Sequence, residues 1–571
     1  RGEIAIRIAR AAAEHGLRTV TVHSEDDAAA LHTKKSDETR ALRGTGPAAY
    51  LDAGQIVAAA RASGCDTIHP GYGFLSEQAA FARRCAAADL VFVGPAPKVL
   101  DVLGDKTRAR VLAERAGVPV LAGTTGPTSL DEARAFLGAQ GTGAGIMIKA
   151  IAGGGGRGMR AVQRADELEA AFARCRSEAL QSFGNGDVYV ERLLPRARHV
   201  EVQLAGDRTG AVSHFWEREC SIQRQRQKLI EIAPAPGLAA RLRERMLDAA
   251  VALGRAAGLD NLATVEFLVE ADGGSDAAFA FIEANPRLQV EHTVTEEVTG
   301  LDLVRLQLEL ASGRTLLALG LDQGQVPAPR GMALEARVNM ESMAPDGTVR
   351  PGGGTLVAFE PPSGPGIRVD TFGYAGYRTS PRFDSLLAKV IVSSHSGELA
   401  SVAAKAYRAL CEFRIAGVPT NVGFLQSLLR HPDLLAGRFH TGFVEAHAGE
   451  LLGSDDATHR RLFFDSAAAT RRVGARVDPD DPLAVLVHGK SAPSAADTGA
   501  PVPDAPEPLG GSGAVETAAP ENTVPILAPM QGTIVSVTAR EGEMVRAGEE
   551  VLVMEAMKMQ HVVEARGSGR V

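Results

Sequence analysis

Residues 490–523, KSAPSAADTGAPVPDAPEPLGGSGAVETAAPENT, are rich in Ala, Pro, Gly and Ser and carry no hydrophobic periodicity. Such a stretch cannot bury a core and reads as a linker, semi-stiff where proline is dense. The chain therefore consists of a long upstream part and a small module at 524–571, tethered together. In the module, PILAPM, GTIVSV, EVLVME and HVVEA alternate apolar and polar residues between glycine turns, which predicts a small all-β unit.

The upstream part is too long for one core, since about 100–200 residues per domain is the usual size. At its start, Ile4, Ile8, Ala12 and Leu17 recur at helical spacing and TVTVHS (19–24) alternates as a strand. DTIHP (66–70) and LVFVG (90–94) continue an α/β alternation, so residues 1–105 predict a Rossmann-like domain that opens on a helix, with its first strand missing. Residues 106–325 predict an α+β domain. Its strand GIMIKA (145–150) runs into the glycine-rich IAGGGGRGMR, read as a flexible hairpin, and strands at 187–194, 199–206, 264–270 and 278–286 follow around a helix near 238–258. Residues 331–446 predict a β-rich third domain, and 447–523 connect it to the module.

Composition excludes several partners. With 61 Lys+Arg against 69 Asp+Glu the net charge is −8, so no basic excess is available for nucleic acid. No run approaches the ~18–20 apolar residues of a membrane span, and no signal-peptide core opens the chain. Five scattered cysteines without metal-ligand spacing predict a reducing, cytoplasmic setting.

Three motifs carry chemistry. EAMKM (555–559) lies between two strand-like halves, which places Lys558 at a turn with its ammonium in solvent; as mere packing, its methionines would be core and the lysine a snorkelling neighbour. GDK (104–106), IMIK (146–149) and GGGGRGMR (153–160) combine lysines with glycines whose backbone can approach phosphate oxygens closely. In FIEANPRLQVEHTVTE (281–296), Glu283, Asn285, Arg287, Gln289 and Glu291 alternate, so an extended chain points all five to one face. Glu266, on TVEFLVE, adds a carboxylate suited to magnesium.

The module resembles biotin carrier domains, in which a lysine between two methionines is biotinylated by a biotin protein ligase. Residues 1–446 resemble the biotin carboxylase component of biotin-dependent carboxylases, an ATP-grasp enzyme. They do so through HPGYGFLSE (69–77), GDK, IKA, GGGGRGMR, RHVEVQ (198–203), ERECSIQRQRQK (217–228), APAPG (233–237), EANPRLQVEHTVTE and EARVN (335–339). The resemblance implies an N-terminal Rossmann-like domain, an ATP-grasp domain, a β-rich C-terminal domain and a flattened-barrel biotinyl module.

It also implies roles. Lys106 and Lys149 would bind ATP phosphates under Gly155 and Gly156, with Glu191, Leu193 and His199 lining the nucleotide pocket. Glu266, Glu283 and Asn285 would hold magnesium or manganese. Lys228, Arg287, Gln289 and the Val290 backbone would position bicarbonate, and Glu291 would deprotonate it for attack on the γ-phosphorus. The resulting carboxyphosphate would break down to carbon dioxide and phosphate, phosphate would take a biotin proton, and Arg337 would stabilise the negative charge. Lys558 would carry biotin. The family has a nucleotide-contacting histidine where this chain has Arg226, which exchanges a titratable ring for a permanent cation. Cys220, in the same run, reads as structural.

The function implied is ATP- and bicarbonate-dependent carboxylation of biotin, feeding a carboxyltransferase that acts on an acyl-CoA. The alternatives are a pyruvate- or urea-type carboxylase, or a carboxylate–amine ligase of the ATP-grasp class. Pyruvate carboxylases place a large carboxyltransferase between the two recognisable parts, which 447–523 is too short to hold. A homo-oligomer is expected, as is a chain that continues beyond both ends. With only 13 residues after Lys558, strands such as EVLVME are expected to lack partners.

Overall fold

The computed structural model describes residues 1–141, 145–152, 158–271, 273–344, 348–452 and 459–464 and, in the module, 526, 528, 533–556 and 559–571. Gly155, Gly156 and Lys558 lie outside the described residues, as does the linker.

The first domain opens on the helix Gly2–Glu14, whose Ile4, Ile6, Ala9, Ala11 and Ala12 are buried. The strands Val20–His23 and Glu38–Ala41 pair in parallel, as do Thr67–Ile68 and Val91–Phe92. Helices on the crossovers make this the expected α/β arrangement.

The rest of the carboxylase part is built on one antiparallel sheet of eight strands among the described residues. Its order is Phe279–Asn285, Leu262–Glu270, Ala197–Gly206, Val212–Arg224, Gln227–Ala233, Met332–Asn339, Leu386–Ser394 and Ile367–Thr371. The sheet thus runs without a break through the segments at 106–325 and 331–446, because Gln227–Ala233 pairs in register with Met332–Asn339.

Strand alternation gives this sheet two different faces. Val200, Val202 and Leu204 share one face with Val265, Phe267 and Val269, packed on Leu242, Met246, Ala250 and Leu253 of the helix Ala240–Ala257. Leu334, Ala336, Val390 and Val392 bury a matching face farther along, against Val402, Ala406 and Leu410 of the helix Leu399–Glu412 and against Leu425 and Leu428. Each large side chain buried this way contributes roughly 1.5–3 kcal/mol. The intervening positions, Glu201, Gln203, Glu266, Glu335 and Arg337, therefore point to the opposite face, and all of them except Arg337 are buried there too.

A smaller sheet joins Met159–Val162, Ile146–Ala150 and Val188–Arg192, all antiparallel, so the strands flanking the glycine run do pair as a hairpin. Two expectations change. Only Glu283 and Asn285 of the five alternating polar residues lie on a strand. Pro286 has no N–H to continue the ladder, and Glu291 already caps the helix His292–Thr299. In the module, Glu550–Ala556 is not left unpartnered; it lies between Thr533–Val537 and Met559–Glu564 in a three-stranded sheet. All five cysteines are free thiols.

Candidate functional site

The polar face of the large sheet carries a row of charges set by register. Glu283 faces Glu266, Glu266 faces Glu201, and Glu201 faces Arg218 on successive strands. Farther along, Arg337 faces Lys389, which faces Asp370. Residues directly opposite share a face, so three glutamates and their counter-ions are forced together.

At one end of the row sit the two lysines read as phosphate ligands. Lys106 is the first residue of the helix Lys106–Arg115, capped by Asp105, which accepts from the Thr107 and Arg108 backbone N–H groups. Its Nζ lies 2.9 Å from Glu283 Oε2. Burial opposes the Lys106 charge, but Glu283 together with Glu191 and Glu266 outweighs it and raises the pKa. Lys149, on the strand before the glycine run, lies 2.5 Å from Glu191, whose other oxygen is 3.0 Å from Arg110. Leu193 follows in the chain and donates its N–H to the Gly145 carbonyl.

Glu266 is the hub. His199 Nε2 is 2.6 Å from one of its oxygens; Asn285 donates to the other at 2.6 Å and Gln289 at 3.2 Å. Gln223 holds the His199 Nδ1 side at 2.6 Å. Burial raises the Glu266 pKa, yet Lys228 and His199 together overcome this and hold it at about 2. Two carboxylates set face to face by register, with the Asn285 amide next to Glu266, offer the hard oxygen donors that magnesium takes, so these residues fit such an ion.

Beyond the hub, Lys228 Nζ donates to Glu201 at 2.6 Å and to Glu291 at 2.5 Å. Arg337 donates to the other Glu291 oxygen at 3.1 Å and pairs closely with Glu231. Despite burial, Lys228, Arg337 and Arg218 hold the Glu291 carboxyl well below the usual carboxylate range. Arg287 pairs closely with Glu77 and donates to Gln289 at 3.0 Å and Asn285 at 3.2 Å. The Val290 carbonyl accepts from Lys389 Nζ at 2.8 Å. Although the chain from 287 to 291 is not a strand, Gln289 and Glu291 still reach the row, while Leu288 turns into an apolar cluster with Phe215 and Leu262.

Several residues around this centre escaped the sequence reading. Glu201 and Arg218 lie inside quoted motifs, but nothing in a single sequence shows that Arg218 is a fully buried guanidinium, donating to Glu201, Gln203, Thr295 and Thr264. Glu77 closes the HPGYGFLSE motif some 210 positions from its partner Arg287. Glu231 and Glu335 sit behind Arg337. Burial outweighs Arg337 to push Glu231 up to about 7, and outweighs Lys389 to push Glu335 up to about 8.

Arg226 sits in the two-residue turn between paired Arg224 and Gln227. Gln225 and Arg226 both have positive φ, 47° and 65°, the backbone of a type I′ turn. Arg224 clamps the turn through Glu341 at 2.8 and 2.9 Å, and Arg226 donates to the Met159 carbonyl at 3.3 Å. Burial, with Arg160 adding, lowers its pKa from the ordinary value. Cys220 is fully buried and its thiol is pushed well up by burial, which agrees with a structural role.

Comparison with known proteins agrees with this geometry. Residues 1–100 match the N-terminal domain of biotin carboxylase, 105–319 the ATP-binding domain of the carbamoyl-phosphate synthase L chain, 335–446 the C-terminal domain of biotin carboxylase and 524–571 the biotin-requiring enzymes. The human mitochondrial pyruvate carboxylase is 46% identical over 449 residues, covering 78% of this chain and 37% of that protein. The chain thus spans little more than a third of the length of that relative. Among solved structures, the biotin carboxylase domain of a single-chain bacterial carboxylase is 48% identical, with a TM-score of 0.71 over 80% of this chain and 98% of that one. A single-chain, multi-domain long-chain acyl-CoA carboxylase is 41% identical, with a TM-score of 0.70, and covers 100% of this chain and 48% of that one. The biotin carboxylase domain dimer of Hydrogenobacter thermophilus 2-oxoglutarate carboxylase, in complex with MgADP, ADP and bicarbonate, is 36% identical with a TM-score of 0.74, over 80% of this chain and 98% of that one. An ATP-binding domain and a biotin-requiring domain on one chain make ATP and biotin its cofactors. Matched along its first three domains and again at its end, the chain belongs to the biotin-dependent carboxylases, as a biotin carboxylase joined to a biotinyl domain.

Proposed function

We propose that the chain carboxylates biotin carried on Lys558, with ATP and bicarbonate, as the biotin carboxylase and carrier part of a larger carboxylase. The observation that carries this reading is Glu291 held between Lys228 and Arg337 at 2.5 and 3.1 Å: a base, an anion-positioning lysine and an anion-stabilising arginine around one point.

Lys106 and Lys149, which lie on Glu283 and Glu191 in this structure, would turn to the ATP phosphates, with Gly155 and Gly156 beside them and Glu191, Leu193, His199 and Arg226 around the nucleotide. Glu266, Glu283 and Asn285 would hold a magnesium or manganese ion, whose chemistry would be charge neutralisation for phosphoryl transfer. Lys228, Arg287, Gln289 and the Val290 backbone would orient bicarbonate in line with the γ-phosphorus. Once Lys228 turns from Glu291 to that anion, the carboxylate loses a stabilising partner and becomes basic enough to take the bicarbonate proton. Arg337, always charged, would hold the negative charge that develops on biotin.

The acceptor of the carboxyl group is a finer matter. The pyruvate carboxylase relatives from human, Aspergillus niger and Caenorhabditis elegans, matched over about 450–470 residues, favour a pyruvate-type enzyme over the acyl-CoA carboxylase that the resemblance first implied, although 447–523 leaves no room for a carboxyltransferase between the two parts. A second reading keeps the acyl-CoA type, because the long-chain acyl-CoA carboxylase structure covers the whole chain, biotinyl module included. Partners would be a biotin protein ligase, a carboxyltransferase domain or subunit and, as in the dimeric H. thermophilus domain, a second copy of this chain. No described helix is long and apolar enough to cross a membrane, and the human relative is mitochondrial, so the comparisons lend the expected cytoplasmic setting no support.

Bicarbonate-dependent ATP hydrolysis stimulated by free biotin tests the reading. A carboxylate–amine ligase would respond to neither addition, and a non-catalytic scaffold would bind ATP without turnover.

A further inference from the structure

Lys389 is wholly buried on the strand Leu386–Ser394, and no step of the proposed carboxylation uses it. Register sets it opposite Arg337 on one side and Asp370 on the other. Three carboxylates surround its ammonium, none within hydrogen-bonding distance: Glu3 at 3.6 Å, Asp370 at 3.8 Å and Glu335 at 4.0 Å. Glu3 comes from the helix Gly2–Glu14, and the other two from the strands flanking Lys389. Each has a closer partner of its own. Tyr72 pairs closely with Glu3 and Thr293 with Glu335, while Arg368 holds Asp370 at 2.9 and 2.8 Å. Burial works against the Lys389 charge, but Glu3, Glu335 and Asp370 together outweigh it and raise the pKa.

The hydrogen bond that a buried ammonium needs goes instead to a backbone group, the Val290 carbonyl, at 2.8 Å. The chain itself explains this choice. Pro286 ends the strand before it, so residues 287–291 have no ladder to satisfy their backbone groups. Two side chains stand in for the ladder. His292 Nδ1 donates to the Gln289 carbonyl at 2.7 Å, and Lys389 donates to the next carbonyl along. A peptide is planar, so pinning its carbonyl also aims the N–H of the following residue. His292 thereby orients the Val290 N–H, which meets no acceptor among the described residues. Lys389 orients the peptide that leads into Glu291.

We propose that Lys389 is a positioning residue for bicarbonate, holding the peptide between Val290 and Glu291 so that the Val290 backbone and the Glu291 carboxylate meet one anion. Lys389 itself touches no substrate. The inference rests on the assignment of bicarbonate to this segment under the proposed function. The three carboxylates keep the ammonium charged in a dry site, and the ammonium in turn replaces the strand that Pro286 interrupts. A neutral side chain of similar length would fill the space and leave the Val290 carbonyl without its donor.

The test is steady-state ATP hydrolysis by the full chain with free biotin, varying bicarbonate and ATP separately. Hydrolysis by the wild type that ignores bicarbonate would overturn the carboxylation reading, and this proposal with it. Given a responsive wild type, Lys389→Met should raise the KM for bicarbonate by about 10–100-fold and leave the KM for ATP within a few-fold. A lysine needed only for folding would lower kcat by reducing the folded fraction and would leave both KM values unchanged. Lys405→Met serves as the control: it removes a lysine that donates to the Ser393 carbonyl on the same strand at 2.6 Å, and the KM for bicarbonate should not move. Should Lys389→Met fail to fold, Lys389→Met combined with Glu3→Gln, which removes a carboxylate together with its cation, decides in its place. A wild-type KM for bicarbonate in the folded variant, or an equal rise in Lys405→Met, would overturn the proposal while leaving the carboxylation reading intact.

Discussion

Glu266 and Glu231 are both buried glutamates on one sheet, yet their carboxyls stand at about 2 and about 7. The difference lies in how burial and charge balance at each: at Glu231 burial, with Glu291 adding, outweighs Arg337 and Lys228. Glu266 has Lys228 and His199 against it, enough to overcome burial. Around Arg337 the balance is reversed, with Glu231, Glu291 and Glu335 all raising its pKa. Two of these three, Glu231 and Glu335, are pushed up toward neutrality and so retain protons that an ordinary glutamate has lost. Their partial neutrality leaves the Arg337 charge less consumed by its neighbours and available to a developing anion. The proposed phosphate end thus keeps Glu266 ionised, suited to a cation, and the proposed biotin end keeps Glu231 and Glu335 partly neutral, suited to an anion.

Removing the cation or the base from the biotin end breaks the comparison most severely. Arg337→Met or Glu291→Gln should lower biotin-dependent turnover by at least about 10²–10³-fold while leaving the KM for ATP within a few-fold, as seen in steady-state kinetics with free biotin. An equal rise in KM with unchanged turnover would reverse the assignment of the two ends.

At the phosphate end, Lys149→Met should act in the opposite sense, raising the KM for ATP by about 10–100-fold, since it removes a phosphate ligand and leaves buried Glu191 with Arg110 as its remaining close cation. Direct nucleotide titration of the variant separates this from a loss of turnover.

Stability against pH distinguishes the ends without any substrate. Glu231 keeps its proton in the folded state up to about 7 but loses it near 4.5 when unfolded, so its stabilisation is complete below 4.5 and is lost as pH rises to about 7. Glu266 behaves oppositely: its contribution is present above 4.5 and is lost as pH falls toward 2. Glu231→Gln should therefore remove a fall in unfolding free energy on the order of 3 kcal/mol between these pH values, measured by denaturant titration. An unchanged slope would mean that Glu231 titrates as an ordinary glutamate.

The smallest effect concerns the turn that carries Arg226. Gln225→Asn suits a positive φ better than glutamine and should stabilise the chain by about 0.5–1 kcal/mol in thermal melts, with kinetics unaltered.

Much of this was legible in the sequence where alternation is clean. The strands at 146–150, 188–192, 262–270 and 279–285 follow from their apolar periodicity, and so does the helix at 240–257. The hairpin 212–233 is not read as strands from the sequence, because Glu, Arg and Gln interrupt its alternation from 217 to 228; Ile222, Leu229, Ile230 and Ile232 are nonetheless core, and Arg224 is buried by pairing with Glu341. For the site, the residues with a family role are named from the motifs, whereas Glu201 and Glu335, though inside quoted motifs, and Glu231 outside them matter through register and burial, which depend on strands distant in the chain. The continuity of the sheet across residue 325 was hidden for the same reason.

The central claim is that this chain fixes bicarbonate onto its own biotin with ATP. Biotin-replete protein incubated with radiolabelled bicarbonate and ATP should acquire acid-labile label on the peptide containing Lys558, and Lys558→Ala or Arg337→Met should remove it. Label acquired without ATP, or retained on Lys558→Ala, would contradict the account.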